Sequence, residues 1–338
     1  MNPLDYGLSI SSIHCPYTNL AIENYLIEGH FPEENHLFLY RNDPSIVMGR
    51  FQVPWREINF SQLPKNISLV RRRSGGGTVY HDLGNWNYCF IHKQRDLPRK
   101  KNLELIIAAL DHLGFQVEAN DRYDLVYRES KEEGGESIFK VSGSAFKQKK
   151  ETSLHHGTLL MDAKLQDLRG SLGHPKHWKI EGKGVRSVSS PVINLSDIFG
   201  NLSFEDWYKA FENLFNTDAF IWREEGLNAA INEERKLLSE WSWLWGETPR
   251  FELEVELSQS VSIHFSLFKG KCEKAYLKRE ESISELLFFV DKSVRRALES
   301  WPSFEILLHH PYFQDCEEAE RVKIAGQLRQ ISESLQLG

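Results

Sequence analysis

The chain has 338 residues, 41% hydrophobic and 26% charged, which is length for about two domains and the composition of a globular protein, so a disordered or collagen-like chain is excluded. Its 41 Lys and Arg against 48 Asp and Glu leave a net charge of -7, so no global field draws it to nucleic acid or an anionic membrane, and any basic site is local. Cys15, Cys89, Cys272 and Cys316 are dispersed, with no CxxC pair or dense disulfide framework, and no apolar run reaches the ~18 residues of a membrane span.

Met1 to Ser12 carry Asp5 and no Lys or Arg, unlike a signal or transit peptide, so a reducing, cytoplasmic setting is expected, or mitochondria if a targeting segment is missing. Thr18 or Asn19 is expected to cap a first helix with Leu20, Ile22, Tyr25 and Leu26 on its apolar face and Gly29 at its end. Short β-rich runs follow at His36 to Arg41, Ser45 to Gly49, Ile67 to Val70 and Trp86 to His92. Asn102 is expected to cap a helix from Leu103 to Leu113 that Gly114 stops. A second β series covers Phe115 to Glu118, Asp124 to Arg128, Ile138 to Phe146 and Gly157 to Met161, with Gly134-Gly135 turning a hairpin.

Ser171 to Ser190, rich in Gly, Ser, His and Lys, reads as a long loop. Ser203 to Phe215 and Asn228 to Trp243 read as helices. Trp241, Trp243 and Trp245 recur every second residue, as in an extended entry to a final sheet. Phe251, Leu253, Val255 and Leu257 alternate, as do Val261, Ile263, Phe265 and Leu267, giving a hairpin-like pair with Lys269-Gly270-Lys271 at a turn. Helices from about Ser282 and about Glu317 are expected to close the chain. Clustered strands without strict βαβ alternation predict an α+β fold with a domain boundary near 223 to 240.

The densest chemical signal runs from Arg71 to Asp82, as RRRSGGGTVYHD between two strands. It reads either as a flexible hairpin loop with solvated arginines or as an anion site, in which glycine lets backbone N–H groups surround phosphate oxygens beside an Arg fork; the arginine run favours the second. Neither a P-loop nor a G-x-G-x-x-G fingerprint is present. Lys140, in FKVSGSA, is either a lysine with its head in solvent or a localised charge for an acyl phosphate or carboxylate; the small Ser142, Gly143, Ser144 and Ala145 favour the latter. His155 and His156 sit side by side on a strand, point to opposite faces, and so do not share a metal. No zinc-ligand spacing occurs. Asp124 is either a turn former or a ligand for Mg²⁺ carried by a nucleotide. Cys89 reads as a small core residue rather than an acyl-accepting thiolate, and Ser74 lacks a GxSxG elbow.

Taken in order, RRRSGGGTVYHDLGN, DRYDLVY, FKVSGSAF, HHGTLL, GKGVRSVSSPVINL and WSWLWGETPRF make the chain resemble the lipoate–protein ligase A family over nearly its whole length. The resemblance implies a mixed-sheet biotin/lipoate ligase-like catalytic domain at 1–225 and a smaller α+β accessory domain at 230–338. It implies that ATP or its adenylate is held by Arg72, Gly77, Thr78, Val79, Tyr80, Arg122, Lys140 and Thr158. Lipoate would be held by Ser74, Gly75, Gly76, His81, Ser142, Gly143 and Lys140. Lys140 would be catalytic in both half-reactions, and Asp124, His156, Lys183, Ser187 and Val188 would lie near the ligand. No protein-held metal is expected apart from Mg²⁺ entering with ATP. The implied reaction joins lipoate to AMP and then acylates a lysine of a lipoyl domain in a 2-oxoacid dehydrogenase complex or of the glycine-cleavage H protein.

The family pattern NPWxECN reads here as Val53-Pro54-Trp55-Arg56-Glu57-Ile58-Asn59, a departure that bears on local packing or acceptor contacts. The rival reading within the resemblance is a lipoyl or octanoyl transferase using preformed lipoyl-AMP or a lipoylated protein; HHGTLL, with Gly where mammalian transferases have Cys, resembles the full ligases. A non-catalytic adenylate- or carrier-binding protein is the remoter rival, and the intact Lys140 segment speaks against it.

Overall fold

The computed structural model describes residues 6–130, 135–256, 261–279 and 282–285, together with Val322 and Gly326. In chain order the elements begin with β1 (Tyr6–Ser11), α1 (Pro16–Ile27), β2 (Asn35–Arg41), β3 (Ser45–Met48), α2 (Pro54–Glu57), β4 (Ser68–Arg71), β5 (Val79–His81) and β6 (Asn85–His92). They continue with α3 (Arg99–His112), β7 (Glu118–Ala119), β8 (Leu125–Ser130), β9 (Glu136–Ser142), β10 (Ser144–Gln148), β11 (Ser153–Leu160), α4 (Leu165–Ser171) and β12 (Trp178–Gly182). The last are α5 (Ser196–Phe199), α6 (Phe204–Phe215), β13 (Phe220–Trp222), α7 (Ala229–Ser239), α8 (Trp241–Leu244), β14 (Phe251–Glu256), β15 (Val261–Phe268), β16 (Lys271–Arg279) and β17 (Ser282–Glu285).

The described residues fall into two compact units, the first drawn from within 6–50, 66–169 and 187–240, the second from within 51–65, 170–186 and 241–285. The first unit is built on a mixed six-stranded sheet in the order β10-β11-β6-β2-β1-β13, parallel at β1–β2 and β1–β13 and antiparallel elsewhere. Alternation along the strands sends Leu8, Ile10, Leu37, Leu39, Trp86, Tyr88 and Phe90 to a core shared with Leu103, Ile106 and Leu110 of α3 and Trp207, Phe211 and Phe215 of α6. Residues of opposite parity, Phe38, Tyr40 and Cys89, are equally buried on the α1 face, so β2 and β6 read as near-continuous apolar runs.

Two small sheets carry the chemical segments. In β4-β3-β5 the strand pair β3–β4 is parallel and β3–β5 antiparallel, and the glycine-rich loop joins β4 to β5. In β7-β8-β9 the Asp124 and Lys140 segments are neighbours. The predicted strand Ile138 to Phe146 is broken at Gly143, whose N–H and C=O both bond to Thr158 as the chain steps from β9 into β10 of the large sheet. The second unit is a sheet in the order β12-β14-β15-β16-β17, antiparallel throughout, with Trp55, Phe60, Trp245 and Phe251 clustered in its core.

Several local expectations are corrected. The first helix starts at Pro16, whose fixed φ suits the first turn, so Thr18 and Asn19 lie inside the helix and are buried. α3 starts at Arg99, and Asn102 is a buried hydrogen-bonding residue within it. The predicted loop 171–190 contains β12, which pairs with β14. Trp241 to Leu244 is one helical turn and not an extended entry. Ser282 begins a strand beside β16 rather than a helix, and the helix expected near Glu317, like Gly134 and Cys316, lies outside the described residues. The expected hairpin at Lys269-Gly270 is present, and Ser203 and Asn228 cap α6 and α7 through their side chains.

Candidate functional site

The first unit brings the RRRSGGG loop, the Lys140 segment and the His156 strand together around buried polar groups. Arg72 leaves the end of β4 and is 5% exposed. Its Nη1 donates to Val47 O at 3.0 Å, its Nη2 to Gly75 O and Gly77 O at 2.7 Å each, and its Nε to Ser74 Oγ at 3.0 Å. Burial lowers its pKa to about 10, opposed by the charge of Glu23 and by Tyr40. The fork therefore shapes the loop from inside, and its hydrogen bonds go to loop carbonyls where the sequence suggested a phosphate. Arg71 bonds the Arg50 carbonyl at 2.9 Å, and Arg73 forks onto Glu234 of α7. What the loop offers a ligand is backbone.

Gly76 has φ +89°, and a Cβ there would lie 2.8 Å from Arg72 Nη2. A Cβ at Gly77 would lie 2.9 Å from Ser187 Oγ, which accepts from the Thr78 N–H at 2.9 Å. Glycine is needed at both, once for conformation and once for close approach. Ser187 is thus beside the loop, while Val188 is 61% exposed, Arg122 is exposed on the β7–β8 turn, and Lys183 is exposed on the second unit. Tyr80 is 1% exposed and its hydroxyl lies 3.5 Å from Asp167; burial, Asp82 and Asp167 all push its pKa up. Asp82 holds the turn after β5 by accepting from the N–H groups of Gly84, Asn85 and Lys164.

Lys140 has a quarter of its side chain exposed, and its Nζ lies 2.8 Å from Asp124 Oδ1. Its backbone is fixed by Pro191 O. Ser142 Oγ lies 3.1 Å from Tyr88 OH, and Thr158 Oγ1 accepts from Gly143 N–H at 3.2 Å. A localised cation is therefore held beside small residues, with one carboxylate defining its position. That arrangement can stabilise negative charge on an acyl or phosphoryl oxygen.

The two histidines diverge as expected. His155 is fully buried among Phe90, Phe146 and Asn102, and burial lowers its pKa to about 3. His156 faces α1: its Nδ1 lies 2.9 Å from Glu23 Oε2 and its Nε2 2.8 Å from Ser74 Oγ. Glu23 also accepts from Tyr40 OH at 3.0 Å. A relay Tyr40, Glu23, His156, Ser74, Arg72 thus lies behind the loop. The sequence reading missed Glu23 and Tyr40, although an acid among Leu20, Ala21, Ile22 and Leu26 on a buried helix face was a visible signal.

Among the described residues, Glu23, Cys89 and His156 place potential ligand atoms within 4.8 Å of one another. Burial and the adjacent Glu23 push the Cys89 thiol well above its usual range, which disfavours both a thiolate ligand and a nucleophile. Hydrogen bonds already join Glu23 to His156.

Residues 15–216 match the family model of the lipoyl protein ligase A/B catalytic domain. A lipoate-protein ligase A of Bdellovibrio bacteriovorus is 32% identical over 282 residues, 81% of each chain. The structure of P. falciparum LipL1 in complex with lipoate superposes with TM-score 0.61 at 22% identity, covering 96% of this chain and 99% of that one. A bipartite lipoate protein ligase of Thermoplasma acidophilum, solved with its E2 lipoyl domain, gives 0.54 at 22% identity, covering 71% and 96%. A lipoate-protein ligase A bound with ATP gives 0.53 at 23% identity, covering 72% and 98%. The mixed-sheet α+β architecture is thus that of lipoate-protein ligases, and the chain belongs to the lipoyl protein ligase A/B catalytic-domain family.

Proposed function

We propose that this protein is an ATP-dependent lipoate–protein ligase. A lipoate carboxylate oxygen attacks the α-phosphorus of ATP and pyrophosphate leaves. The amine of a target lysine then attacks the carbonyl of lipoyl-AMP, AMP leaves with the electrons of the broken anhydride bond, and the amine loses a proton to give an amide. The observation that carries this reading is Lys140 Nζ held by Asp124 beside Ser142, Gly143 and Thr158, in the unit that also presents the glycine-rich loop.

In this reading Gly77 to Tyr80 and Thr158 line the adenylate, with Arg122 and Ser187 at its edge, and Arg72 acts by holding the loop carbonyls away from the phosphates. Ser74, Gly75, Gly76, His81, Ser142 and Gly143 line the acyl group, and His156 backs Ser74. Lys140 stabilises charge on the carbonyl and phosphate oxygens in both steps. The donor set at Asp124 is a single carboxylate already paired with Lys140, which suits a Mg²⁺ carried by nucleotide phosphates and not a resident ion. Residues 1–225 would be the catalytic domain and 230–338 the accessory domain, with Val188 next to Ser187 at the edge of the site. The pairing of the Thermoplasma ligase with its E2 lipoyl domain supports a lipoyl domain as acceptor.

The test is the mass of a purified lipoyl domain incubated with the protein and either lipoate plus Mg-ATP or lipoyl-AMP alone. A lipoyl-sized gain in both establishes the ligase. A gain with lipoyl-AMP alone makes it a transferase, and no gain in either overturns the reading.

A further inference from the structure

Tyr88 reaches across a strand to the place where the Lys140 segment breaks. β6, β11 and β10 are neighbours in the large sheet, and the register puts Tyr88 beside Gly157 and Gly157 beside Ser144. Residues paired across strands share a face, so these three stand in one row, with β10 about 10 Å from β6. The Tyr88 hydroxyl nonetheless lies 3.1 Å from Ser142 Oγ and 3.3 Å from Ser144 Oγ. Its ring covers the gap by lying over Gly157, where a Cβ would come within 2.2 Å of the hydroxyl oxygen and 2.3 Å of the ring carbon that carries it. Gly157 does not have positive φ, so the fold uses its missing side chain and not its backbone freedom.

Ser142 ends β9 and Ser144 begins β10, so one phenol ties together the two sides of the break at Gly143. A phenol has one O–H and also accepts, so it serves both serines by donating to one and accepting from the other. Tyr88 is fully buried, which makes the loss of either bond costly. Gly143 is also held by Thr158 through both its N–H and its C=O. A Cβ at Gly143 would lie 3.2 Å from both Cε and Nζ of Lys140, so the end of that lysine rests against the Gly143 backbone. The ammonium thus has two supports, Asp124 and the stapled turn. Burial raises the Tyr88 pKa against the opposing serine hydrogen bonds, and the charge of Asp124 raises it further, so the phenol stays protonated within electrostatic reach of the same ion pair.

We infer that Tyr88 is a positioning residue for Lys140, acting through the Ser142-Gly143-Ser144 turn, and that Gly157 is glycine so that the Tyr88 hydroxyl can reach that turn. The functional part rests on the role given to Lys140 above; the staple itself does not. The glycine of the HHG motif, which has no side-chain chemistry of its own, is thereby explained by a residue on the neighbouring strand.

The experiment uses the full chain and measures pyrophosphate exchange with lipoate and Mg-ATP, and transfer from supplied lipoyl-AMP to a lipoyl domain. Y88F keeps the ring and removes the hydroxyl. It should lower kcat of both steps about three- to ten-fold, the worth of one hydrogen bond, with the KM values for lipoate and ATP held within about two-fold. S142A should act similarly, and the Y88F/S142A double variant should be no worse than the poorer single one, because both remove the same bond. In K140A the Y88F change should no longer lower the residual rate, which a general loosening of the fold would still do. G157A should match Y88F, and Y88F should add nothing to it. An unchanged kcat in Y88F, an effect on KM alone, multiplying effects of Y88F and S142A, an equal loss from Y88F with and without Lys140, or native activity in G157A overturns the inference. If G157A fails to fold or K140A is too slow to measure, the kcat and KM of Y88F and its cycle with S142A still decide it. A native protein that lipoylates nothing with either donor overturns the proposed function. The same cycle read in urea denaturation midpoints then tests the staple separately, and additive shifts reject it.

Discussion

Lys140 Nζ and Asp124 Oδ1 lie 2.8 Å apart, with the aspartate side chain only 9% exposed and the lysine 25%. Lys140 lies on β9, which pairs with β8, and Asp124 stands immediately before β8 in a turn that Asn120 Oδ1 holds by accepting from its N–H, so strand pairing and this turn together set where the carboxylate meets the ammonium. Lys140→Ala is expected to lower both lipoyl-AMP formation and transfer from supplied lipoyl-AMP by at least about a hundred-fold. Pyrophosphate exchange and acceptor mass read the two steps separately. Either step surviving intact would remove Lys140 from its assigned role. Asp124→Asn, which keeps the shape and loses the charge, is expected to impair both steps less.

The loop gives an internal contrast between adjacent glycines. Gly76 combines φ +89° with a Cβ position 2.8 Å from Arg72, whereas a Cβ at Gly75 meets nothing within 4 Å. Gly76→Ala should destabilise the protein by about 1–3 kcal/mol and raise the KM for lipoate, with Gly75→Ala near neutral in stability. Urea denaturation and lipoate kinetics check this. Equal effects at the two positions would contradict the account of the loop.

Acid should weaken the first unit through buried neutral histidines. His92 is lowered from 6.5 to about 4 and His155 to about 3, both chiefly by burial. Because the folded values lie below the unfolded one, the unfolded chain binds the additional protons. Their contribution is complete above about pH 6.5 and is lost as pH falls toward 4 and 3, at up to about 1.4 kcal/mol per pH unit for each ring. Denaturation midpoints measured from pH 7 to 5 should fall, and His155→Gln should flatten the slope. An unchanged slope in that variant would reject the assignment.

In the second unit, Trp55 is 1% exposed and its ring stacks on Phe251 and tilts against Trp245, each with centroids 5.4 Å apart. Trp55→Ala should cost about 3–5 kcal/mol by leaving a cavity in this aromatic core. Thermal denaturation followed by tryptophan fluorescence reads it. A loss under 1 kcal/mol, on the order of a surface change, would mean that the cluster packs loosely.

Much of the local structure was legible because it depends on near neighbours. Alternation marked β14 and β15, β-rich composition marked β2 and β6, and the helices expected from Ser203 and Asn228 start at those residues, which cap them. Errors fell where tertiary packing overrides local preference. The Trp241 turn is helical although its tryptophans alternate, and β12 was hidden in a stretch rich in Gly and Lys because its partner β14 is about 70 residues away in sequence. Asn102 has the chemistry of a cap, but His92 and His155 provide it with buried partners inside α3.

The sequence by itself pointed out the main segments of the candidate site: the glycine-rich loop, Lys140 and the HHG strand are contiguous motifs whose residue types carry their own chemistry. Only the tertiary structure decided which way those groups work. Arg72 faces inward because Val47, Gly75 and Gly77 present carbonyls to it, and Lys140 meets Asp124 because β8 and β9 pair and a turn sets the aspartate just before β8. The Tyr88 hydroxyl meets Ser142 and Ser144 across 54 and 56 residues of sequence, so no local pattern relates them. Hydrogen bonding depends on distance and direction in space, and a single sequence specifies those only through the fold.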